Sequence, residues 1–382
     1  MKMFSNILDV RKDFPAIENY NYLNTASVGL LPKQTISAIK RYLDEERLYG
    51  NIYWKEWENK LEQARSLIAK LIGAKEEEIA IVPNTSEGLN IVANGIKWKN
   101  KENIVLNDLE FPSNIFPWQN QAKKHNLEIR IAKNVHGEIP LEEYEKHIDD
   151  STRVVAVSWV EFQNGFKHDL KALAELAHAH GAYLVVDGTQ SVGMLDIDVK
   201  KMNVDFLACA CAKWLISPIG TGFLYIRRDL VDEIDATYVG WRSVKDPENF
   251  SYRWFELDDT ARRFEAGSPS FLGIQGLIES LKYIHRIGPR SIEKRDLELA
   301  EYLVEQFLEI KQLKIVTPLN EDKPQSAIVS FTCKNVEEVY NKLLENRFIV
   351  SLRLNAIRIS PHFYNVKQEI ENLVNLVKNE IQ

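Results

Sequence analysis

The stretch Val185-Val186-Asp187-Gly188-Thr189-Gln190 decides the fold of this 382-residue chain, together with Lys213 further along. The stretch closes a continuously apolar run that begins at Ala182 and ends abruptly at the carboxylate of Asp187. Continuous apolar runs of this length are typical of parallel strands that are buried on both faces. The sequence therefore predicts a central strand with Asp187 at its carboxyl end.

A second short run, residues 205–212, contains several small residues and leads directly into Lys213. Its small side chains would let a bulky group lie close to the backbone. A buried acid followed by a lysine in an apolar setting suggests pyridoxal 5′-phosphate (PLP). In that interpretation Lys213 forms the Schiff base and Asp187 keeps the pyridine nitrogen protonated. A strand-end aspartate and a surface lysine would explain the pair equally well, so other parts of the chain must decide.

Predicted strands and helices alternate along the chain before Asp187. The strands are expected at 79–82, 103–106, 127–131, 154–158 and 182–186, and the helices at 86–96, 113–125, 141–148 and 170–180. Alternation of this kind predicts right-handed crossovers and a mostly parallel sheet that is covered by helices on both faces. The expected fold class is therefore α/β.

The pattern changes after Gly267-Ser268-Pro269, where two long helices are followed by a small mixed unit. The helices are expected at 271–287, 292–310, 336–344 and 366–377, and the strands at 327–331, 348–350 and 356–359. We expect three parts: an N-terminal arm (1–20) that packs with the small domain, a large domain (21–275) and a small C-terminal α/β domain (276–382). A chain of this length is too long for one ordinary core.

Composition limits the partners that we expect. The formal net charge of −7 gives no support for binding to nucleic acid or to an acidic membrane surface, and no apolar run approaches the length of a membrane span. Three cysteines cannot build a disulfide framework in a chain of this size, which favours a cytoplasmic location. No metal site is expected, since His178 and His180 are two positions apart on a helix and face apart.

Three strings carry a resemblance to a known family: VVDGTQSVG (185–193), CAKWL (211–215) and SPIGTGFLYIRRD (217–229). They resemble the class-V aminotransferases of fold-type I, a family that also holds cysteine desulfurases, kynureninase and isopenicillin N epimerase-like proteins. The match runs from about residue 22 to 365. It implies a large domain with a mostly parallel, seven-stranded type of sheet, a small C-terminal α/β domain, PLP as cofactor and an amino acid as substrate.

The cofactor contacts follow from the resemblance and from simple chemistry. Thr85 and Ser86 fit the N-cap and first turn of a helix that directly follows a strand, where backbone N–H groups and hydroxyls favour a phosphate. An ordinary capped helix would produce the same string. The resemblance further implies that Phe111 stacks on the cofactor ring and that Gln190 donates a hydrogen bond to its phenolic oxygen. An ordinary core phenylalanine is the rival interpretation of Phe111.

The resemblance also implies contacts from more distant parts of the chain. Ser268, in a loop that reaches across a dimer interface in the family, would bind the phosphate of the other subunit, so a homodimer with shared sites is expected. Arg358 would clamp the α-carboxylate of the substrate, and Asn24 would also lie at the substrate. Many relatives carry a cofactor-contacting asparagine near residue 162, which Gln163 or Asn164 would replace.

Departures from the family pattern guide the choice of reaction. Desulfurases carry a histidine in place of Phe111 and a nucleophilic cysteine shortly before Arg358, whereas residues 346–355 contain no cysteine. Transamination through Lys213 is therefore the favoured function. Epimerisation, a C–S lyase or desulfurase-like activity, and a catalytically silent scaffold of the same fold remain as alternatives. An aromatic cluster at 238–255 would line either a substrate entrance or a dimer interface.

Overall fold

The computed structural model of the protein describes residues 7–250 and 254–381. Residues 1–6 of the expected N-terminal arm and Tyr252 of the aromatic cluster lie outside the described residues. No helix in the described ranges is long and apolar enough to cross a membrane.

The helices alternate with strands in the first two thirds of the chain and then cluster. They are α1 (Ile7–Arg11), α2 (Lys33–Tyr49), α3 (Trp54–Ile72), α4 (Thr85–Gly95), α5 (Phe116–His125), α6 (Leu141–Glu145), α7 (Leu170–Ala179), α8 (Phe271–Ile287), α9 (Pro289–Leu308), α10 (Val336–Glu345) and α11 (Lys367–Ile381). Helix α3 shows why these segments are helical: its buried residues recur at helical spacing, and it ends at Gly73 in the left-handed conformation.

The strands fall into a large sheet and several smaller ones. They are β1 (Asn21–Tyr22), β2 (Ile79–Val82), β3 (Asn103–Asn107), β4 (Glu128–Ala132), β5 (Thr152–Ser158), β6 (Tyr183–Asp187), β7 (Phe206–Ala210), β8 (Gly222–Ile226), β9 (Lys314–Ile315), β10 (Leu319–Asn320), β11 (Lys323–Pro324), β12 (Val329–Thr332), β13 (Phe348–Ile349), β14 (Ser351–Arg353) and β15 (Ala356–Ile359).

The large sheet has seven strands in the order β2-β8-β7-β6-β5-β3-β4. Strands β7, β6, β5, β3 and β4 are parallel, and β8 runs antiparallel to both of its neighbours. The prediction of a mostly parallel seven-stranded sheet is therefore confirmed. Strand β6 lies at its centre, with Asp187 as its last residue.

Both faces of this sheet are buried, as the continuous apolar strands require. In β6, Val185 joins the core on the side of α4 and α5, whereas Leu184 and Val186 join the core on the side of α3 and α8. Helix α4 approaches the sheet closely, because a Cβ added at Gly88 would lie 2.9 Å from the Cβ of Ala208 in β7. The small residue in β7 therefore admits a helix, whose N-terminus points to the same edge as Asp187.

The C-terminal region contains a four-stranded antiparallel sheet in the order β14-β15-β12-β9. The chain near its start contacts this region: β1 pairs in parallel with β13, and Arg11 forms an ion pair of 2.9 Å with Glu369. These contacts agree with an arm that packs on the small domain, while the boundaries at 20 and 275 stay predictions.

Some predicted bounds were wrong. Strand β8 was not predicted, although its five residues are all buried. They lie in the string 217–229, which was used only as a sign of the family resemblance. Helix α5 begins at Phe116 and not at 113, since residues Pro112–Asn114 form a separate 3-10 turn. The predicted strand 348–350 corresponds to β13, which ends at Ile349, whereas β14 begins at Ser351, joins a different sheet and was not predicted.

Candidate active site

A pocket lies where the carboxyl ends of the central parallel strands meet. Ser158 at the end of β5 pairs with Asp187 at the end of β6, and Asp187 pairs with Ala208 in β7. The pocket is lined by Asn84, Thr85, Ser86, Phe111, Ser113, Ser158, Phe162, Asp187, Thr189, Gln190, Ala210 and Lys213. The fold therefore brings six of the predicted site residues into one place, at the edge where parallel α/β sheets bind ligands.

Asp187 and Lys213 have opposite charges in a buried setting. Burial raises the pKa of Asp187, against the hydrogen bonds from Thr189 and the charge of Lys213. Burial lowers the pKa of Lys213 to about 8, against the attraction of Asp187, and the nearby charges of Arg358 and Arg353 lower it further. A lysine whose pKa is near 8 can act as a nucleophile and can move protons at neutral pH.

The N-terminus of α4 presents hydroxyl groups to the pocket. Asn84 is the N-cap and accepts from the backbone N–H of Glu87 at 2.9 Å, so the helix begins at Thr85 and the prediction of Thr85 as the cap was one residue late. The hydroxyl of Ser86 donates to the hydroxyl of Ser113 at 2.9 Å. Helix α4 has 11 residues, and its first turn lines the pocket, so the partial positive charge at its N-terminus favours a bound anion.

Thr85 is held from behind by the strand that leads to Lys213. Its hydroxyl accepts from the backbone N–H of Ala210 at 2.8 Å and forms a hydrogen bond with the hydroxyl of Thr189. Thr189 in turn donates its backbone N–H to Asp187 at 2.8 Å. A series of hydrogen bonds therefore connects Thr85, at the N-terminus of α4, with Asp187 at the other end of the pocket.

Two aromatic rings form one wall of the pocket. Phe111 is 41% exposed, and its ring lies edge-on to Phe162 with the centroids 5.1 Å apart. The ammonium nitrogen of Lys213 lies 5.7 Å from the centroid of the Phe111 ring. Phe111 is thus a pocket residue and not an ordinary core phenylalanine.

The side-chain amide of Gln190 has a fixed orientation. Its oxygen accepts from the indole N–H of Trp214 at 2.9 Å, and its nitrogen donates to the carbonyl of Ala26 at 3.0 Å. An indole can only donate and a carbonyl can only accept, so the amide cannot be flipped. One N–H of Gln190 remains for the pocket.

Arg358 is buried, with only 2% of its surface exposed. It donates to the carbonyl of Phe162 at 2.6 Å and to the hydroxyl of Ser27 at 2.8 Å. Within the described ranges it has no carboxylate at ion-pair distance, and its Nε has no hydrogen-bond partner. Burial lowers its pKa, with Arg353 adding to the effect. A buried guanidinium without an acid is suited to bind one from outside.

Asn24 reaches the same network from the N-terminal side. Its carbonyl oxygen accepts from the hydroxyl of Ser351 at 2.7 Å, and that hydroxyl lies 2.9 Å from the hydroxyl of Ser27. Asn24 is therefore connected to Arg358 through three hydrogen bonds, by way of Ser351 and Ser27, and lies outside the lining of the pocket itself.

Buried carboxyls lie behind the pocket. Glu110 accepts from the hydroxyl of Ser158 at 2.7 Å, and the amide of Asn107 donates to both Glu110 (2.8 Å) and Glu161 (3.0 Å). Burial raises the pKa of Glu110 to about 8, although its hydrogen bonds lower it. Burial and the charge of Glu110 also raise the pKa of Glu161.

Besides Arg358 and Asn24, three other predicted residues lie outside the pocket lining. Ser268 is exposed and lines a different cavity, beside Glu87 and Tyr238 of the same chain. Asn164 is committed to a turn, donating to the carbonyl of Gly137 at 2.7 Å and accepting from the N–H of Phe166 at 3.0 Å. Gln163 is also outside the lining, where Phe162 takes the place next to Phe111.

The class-V aminotransferase family model matches residues 21–373. The chain belongs to the class-V aminotransferase family.

Relatives of this class-V protein carry different activity names. An uncharacterized aminotransferase of Bacillus subtilis, YcbU, is 32% identical over 364 residues, covering 95% of each chain. A probable cysteine desulfurase of Pyrococcus abyssi is 32% identical over 398 residues, covering 98% of this chain and 97% of the relative. Among solved structures, a mutant of the cystine C–S lyase C-DES with glycine covalently linked to the PLP cofactor has a TM-score of 0.91 at 24% identity. It covers 97% of this chain and 99% of that chain.

PLP is the cofactor of this class-V protein, and the residues present fit it. The hydroxyls at the start of α4 suit a phosphate, the buried Asp187 suits a protonated ring nitrogen, and Lys213 suits the covalent link. The cofactor supplies an electron sink for chemistry at the Cα of a bound amine.

Sequence reasoning missed several residues of this class-V site. Ser113, Ser158 and Thr189 line the pocket, and Trp214 and Ser27 hold Gln190 and Arg358. Ser158 could have been found, because it ends a predicted strand beside Asp187. Ser27 gives no such signal, since its contact with Arg358 joins residues 331 positions apart.

Proposed function

We propose that this class-V protein is an aminotransferase that binds its amino-acid substrate through the α-carboxylate. The observation that carries the proposal is Arg358, a buried guanidinium without an acidic partner in the described ranges, whose charge reaches Lys213. A bidentate clamp on the carboxylate fixes the Cα–H bond relative to Lys213.

In this proposal Lys213 moves the proton. Its side-chain nitrogen, as the neutral amine, would accept the proton from Cα, and as the ammonium it would donate that proton again; its lowered pKa of about 8 brings both protonation states within reach at neutral pH. Asp187 would keep a positive charge on the ring nitrogen. Gln190 would offer its free N–H to the ring oxygen, and Thr85 and Ser86 would hold the phosphate. Phe111 would cover one face of the ring.

The wall of the pocket supports transamination over elimination. The lining next to Phe111 contains phenylalanines and hydroxyls, and no histidine or cysteine among the described lining residues. An elimination that releases a poor leaving group such as hydroxide needs an acid to protonate it, whereas transamination needs proton transfer only at Cα and at the cofactor. Lys213 can perform both of those transfers.

C–S bond cleavage is the second candidate, because relatives of comparable identity are named cysteine desulfurases. A desulfurase that passes sulfur to its own cysteine is not supported by the three cysteines. Cys209 and Cys211 are fully buried, and Cys333 lies at the end of β12 in the C-terminal sheet. A lyase that releases sulfur directly would not need such a cysteine.

One experiment separates these activities. Purified protein loaded with PLP is incubated with a panel of amino acids, with and without an oxo-acid acceptor. Transamination yields the matching oxo acid, with turnover only when the acceptor is present. Cleavage of cysteine or cystine releases sulfide or persulfide without an acceptor. Sulfur release without acceptor-dependent turnover on any amino acid would overturn the first proposal. A silent scaffold would do neither and would not form the covalent link at Lys213.

We also propose that the protein is a homodimer. Ser268 is exposed and does not reach the pocket of its own chain, which agrees with a contact in the site of a second copy. The nearby segment exposes several large aromatic side chains: Tyr238, Trp241, Phe250, Trp254 and Phe255. Patches of this kind commonly mark protein–protein interfaces. Sedimentation should give a dimer, and a monomer that holds PLP at full occupancy would refute this proposal.

A further inference from the structure

A buried acid–histidine pair lies between the C-terminal region and the active-site loop. Asp296 in α9 and His362, which follows β15, are both fully buried. Nδ1 of His362 lies 2.7 Å from a carboxylate oxygen of Asp296, and Nε2 lies 3.1 Å from the backbone carbonyl of Trp214. Neither residue lines the pocket, yet Trp214 directly follows Lys213.

The chemistry of the partners fixes the role of the ring. A backbone carbonyl only accepts, so Nε2 carries a hydrogen and donates it to Trp214. The proton between Nδ1 and Asp296 is then shared by the pair. The ring also packs edge-on against the indole of Trp214, with centroids 5.2 Å apart. His362 therefore holds Trp214 at two points, by its carbonyl and by its indole face.

Trp214 transmits this constraint to the pocket. Its indole N–H holds the oxygen of Gln190, and this contact orients the remaining amide N–H of Gln190. Loop backbone on the opposite side is also fixed, because Gly29 donates its N–H to the carbonyl of Ala212 at 2.8 Å. A Cβ at Gly29 would lie 2.0 Å from the carbonyl oxygen of Lys213, so only glycine fits there.

We infer that Asp296 and His362 are positioning residues that orient Gln190, through Trp214, towards the ring oxygen of PLP. The inference rests on the proposed role of Gln190. It goes beyond that role by assigning the orientation of the amide to a pair of residues in the C-terminal region. Asp296 holds the imidazole ring, the ring holds Trp214, and Trp214 holds the amide.

The readout is the pH midpoint of the absorbance change of PLP bound at Lys213. A hydrogen-bond donor to the ring oxygen stabilises the negative charge on that oxygen. This favours the form in which the nitrogen that links PLP to Lys213 carries no proton, so the donor lowers the midpoint. Loss of one such hydrogen bond should raise the midpoint by about half a pH unit to one pH unit. Gln190→Leu sets the scale, because it removes the donor directly.

Five further variants, one of them a double variant, test the contacts between Asp296 and Gln190. Asp296→Ala and Trp214→Phe should each raise the midpoint by up to the shift of Gln190→Leu, and the double variant should shift it no further than Trp214→Phe alone. Asp296→Asn, which can still hydrogen-bond Nδ1, should shift it less than Asp296→Ala. The matched control is His178→Ala, because His178 forms the same kind of pair with buried Asp205, at 2.8 Å, away from the pocket.

The outcomes are distinct. If Gln190→Leu leaves the midpoint unchanged, the proposed role of Gln190 fails and the inference fails with it. If Gln190→Leu and Trp214→Phe shift the midpoint but Asp296→Ala does not, the role stands and the inference is wrong. A shift in Asp296→Ala equal to that in His178→Ala would show a general effect on stability and would also overturn it. Should Asp296→Ala not fold, His362→Phe takes its place: a shift above that of His178→Ala supports the inference, and a shift no larger than that of His178→Ala refutes it.

Discussion

Replacement of Arg358 by methionine should separate substrate orientation from cofactor chemistry. Methionine keeps much of the length of the side chain and removes its charge. In the protein, the guanidinium is held by the carbonyl of Phe162 and the hydroxyl of Ser27, and it is 2% exposed. A carboxylate that binds there makes a buried, charge-assisted contact with a group that is already oriented.

The size of the effect follows from this burial. Loss of one partner of a buried charge pair costs about 2–5 kcal/mol. That cost corresponds to a decrease in kcat/KM of roughly thirtyfold to several thousandfold for amino acids. Amines that lack the α-carboxylate never use the contact and should be nearly unaffected. The absorbance maxima of bound PLP should stay in place, because Arg358 lies outside the cofactor pocket lining. Their pH midpoint should rise, because the charge of Arg358 lowers the pKa of Lys213.

The assay is steady-state kinetics on an amino acid and its decarboxylated amine, with Arg353→Met as the matched control. Arg353 lies on β14, two positions from Ser351, which pairs with Arg358, so both arginines are on one face of the sheet. Arg353 is exposed, and its loss should cost less. Equal losses on both substrates with Arg358→Met, or a larger loss with Arg353→Met, would refute the assignment of the clamp. Apo Arg358→Met should unfold at no lower temperature, because it removes a buried charge without an acidic partner.

Three further predictions concern the pocket and its surroundings. In the apo protein, acylation of Lys213 should show a midpoint near pH 8, since burial lowers its pKa, and Asp187→Asn should move that midpoint lower; a midpoint near 10.5 would contradict the burial argument. The pKa of Glu110 in the folded protein is raised from 4.5 to about 8, so the contribution of Glu110 to stability falls as the pH rises from 4.5 to 8. Thermal unfolding should show this fall, and Glu161→Gln should make it smaller because it removes a neighbouring buried acid. An unchanged pH profile in Glu161→Gln would exclude the coupling. Phe111→Leu should speed PLP release about two- to tenfold, which corresponds to the free energy of one aromatic contact. The control is Phe116→Leu, because Phe116 is 62% exposed and lies outside the lining, so this variant should release PLP at the unchanged rate. Equal release rates in both variants would argue against stacking.

The elements nearest the site were those that local sequence could predict. The strand that ends at Asp187 is fully determined by an apolar run, and α4 by a strand followed by a polar cap. Both signals are local, so the amino-acid sequence predicts these two elements, whereas their joint role at a cofactor was inferred from the family resemblance. Strand β8 is equally apolar but antiparallel, and nothing in its own residues indicates which neighbours it joins.

Predictions carried over from the family resemblance were weaker where the backbone turns. Gln163 and Asn164 were candidates for a cofactor contact because they stand next to the expected position. In the protein, both polar atoms of the Asn164 side chain form hydrogen bonds within the turn, and Phe162 lines the pocket in place of an amide. Spacing along the chain does not fix the direction of a side chain in a turn, whereas it does in a strand.

The charge balance of the pocket differs from that of the whole protein. The chain carries a formal net charge of −7, yet the acids behind the pocket are buried, and burial raises the pKa of Glu110 to about 8. At neutral pH that carboxyl is mostly protonated, so it does not offset the charges of Arg358 and Lys213. Among the described lining residues only Asp187 is acidic, so the region of Arg358 and Lys213 is more positive than the protein as a whole. Since both the phosphate of PLP and the α-carboxylate of an amino acid are anions, the same buried acids that cost stability at high pH keep the pocket attractive to its ligands.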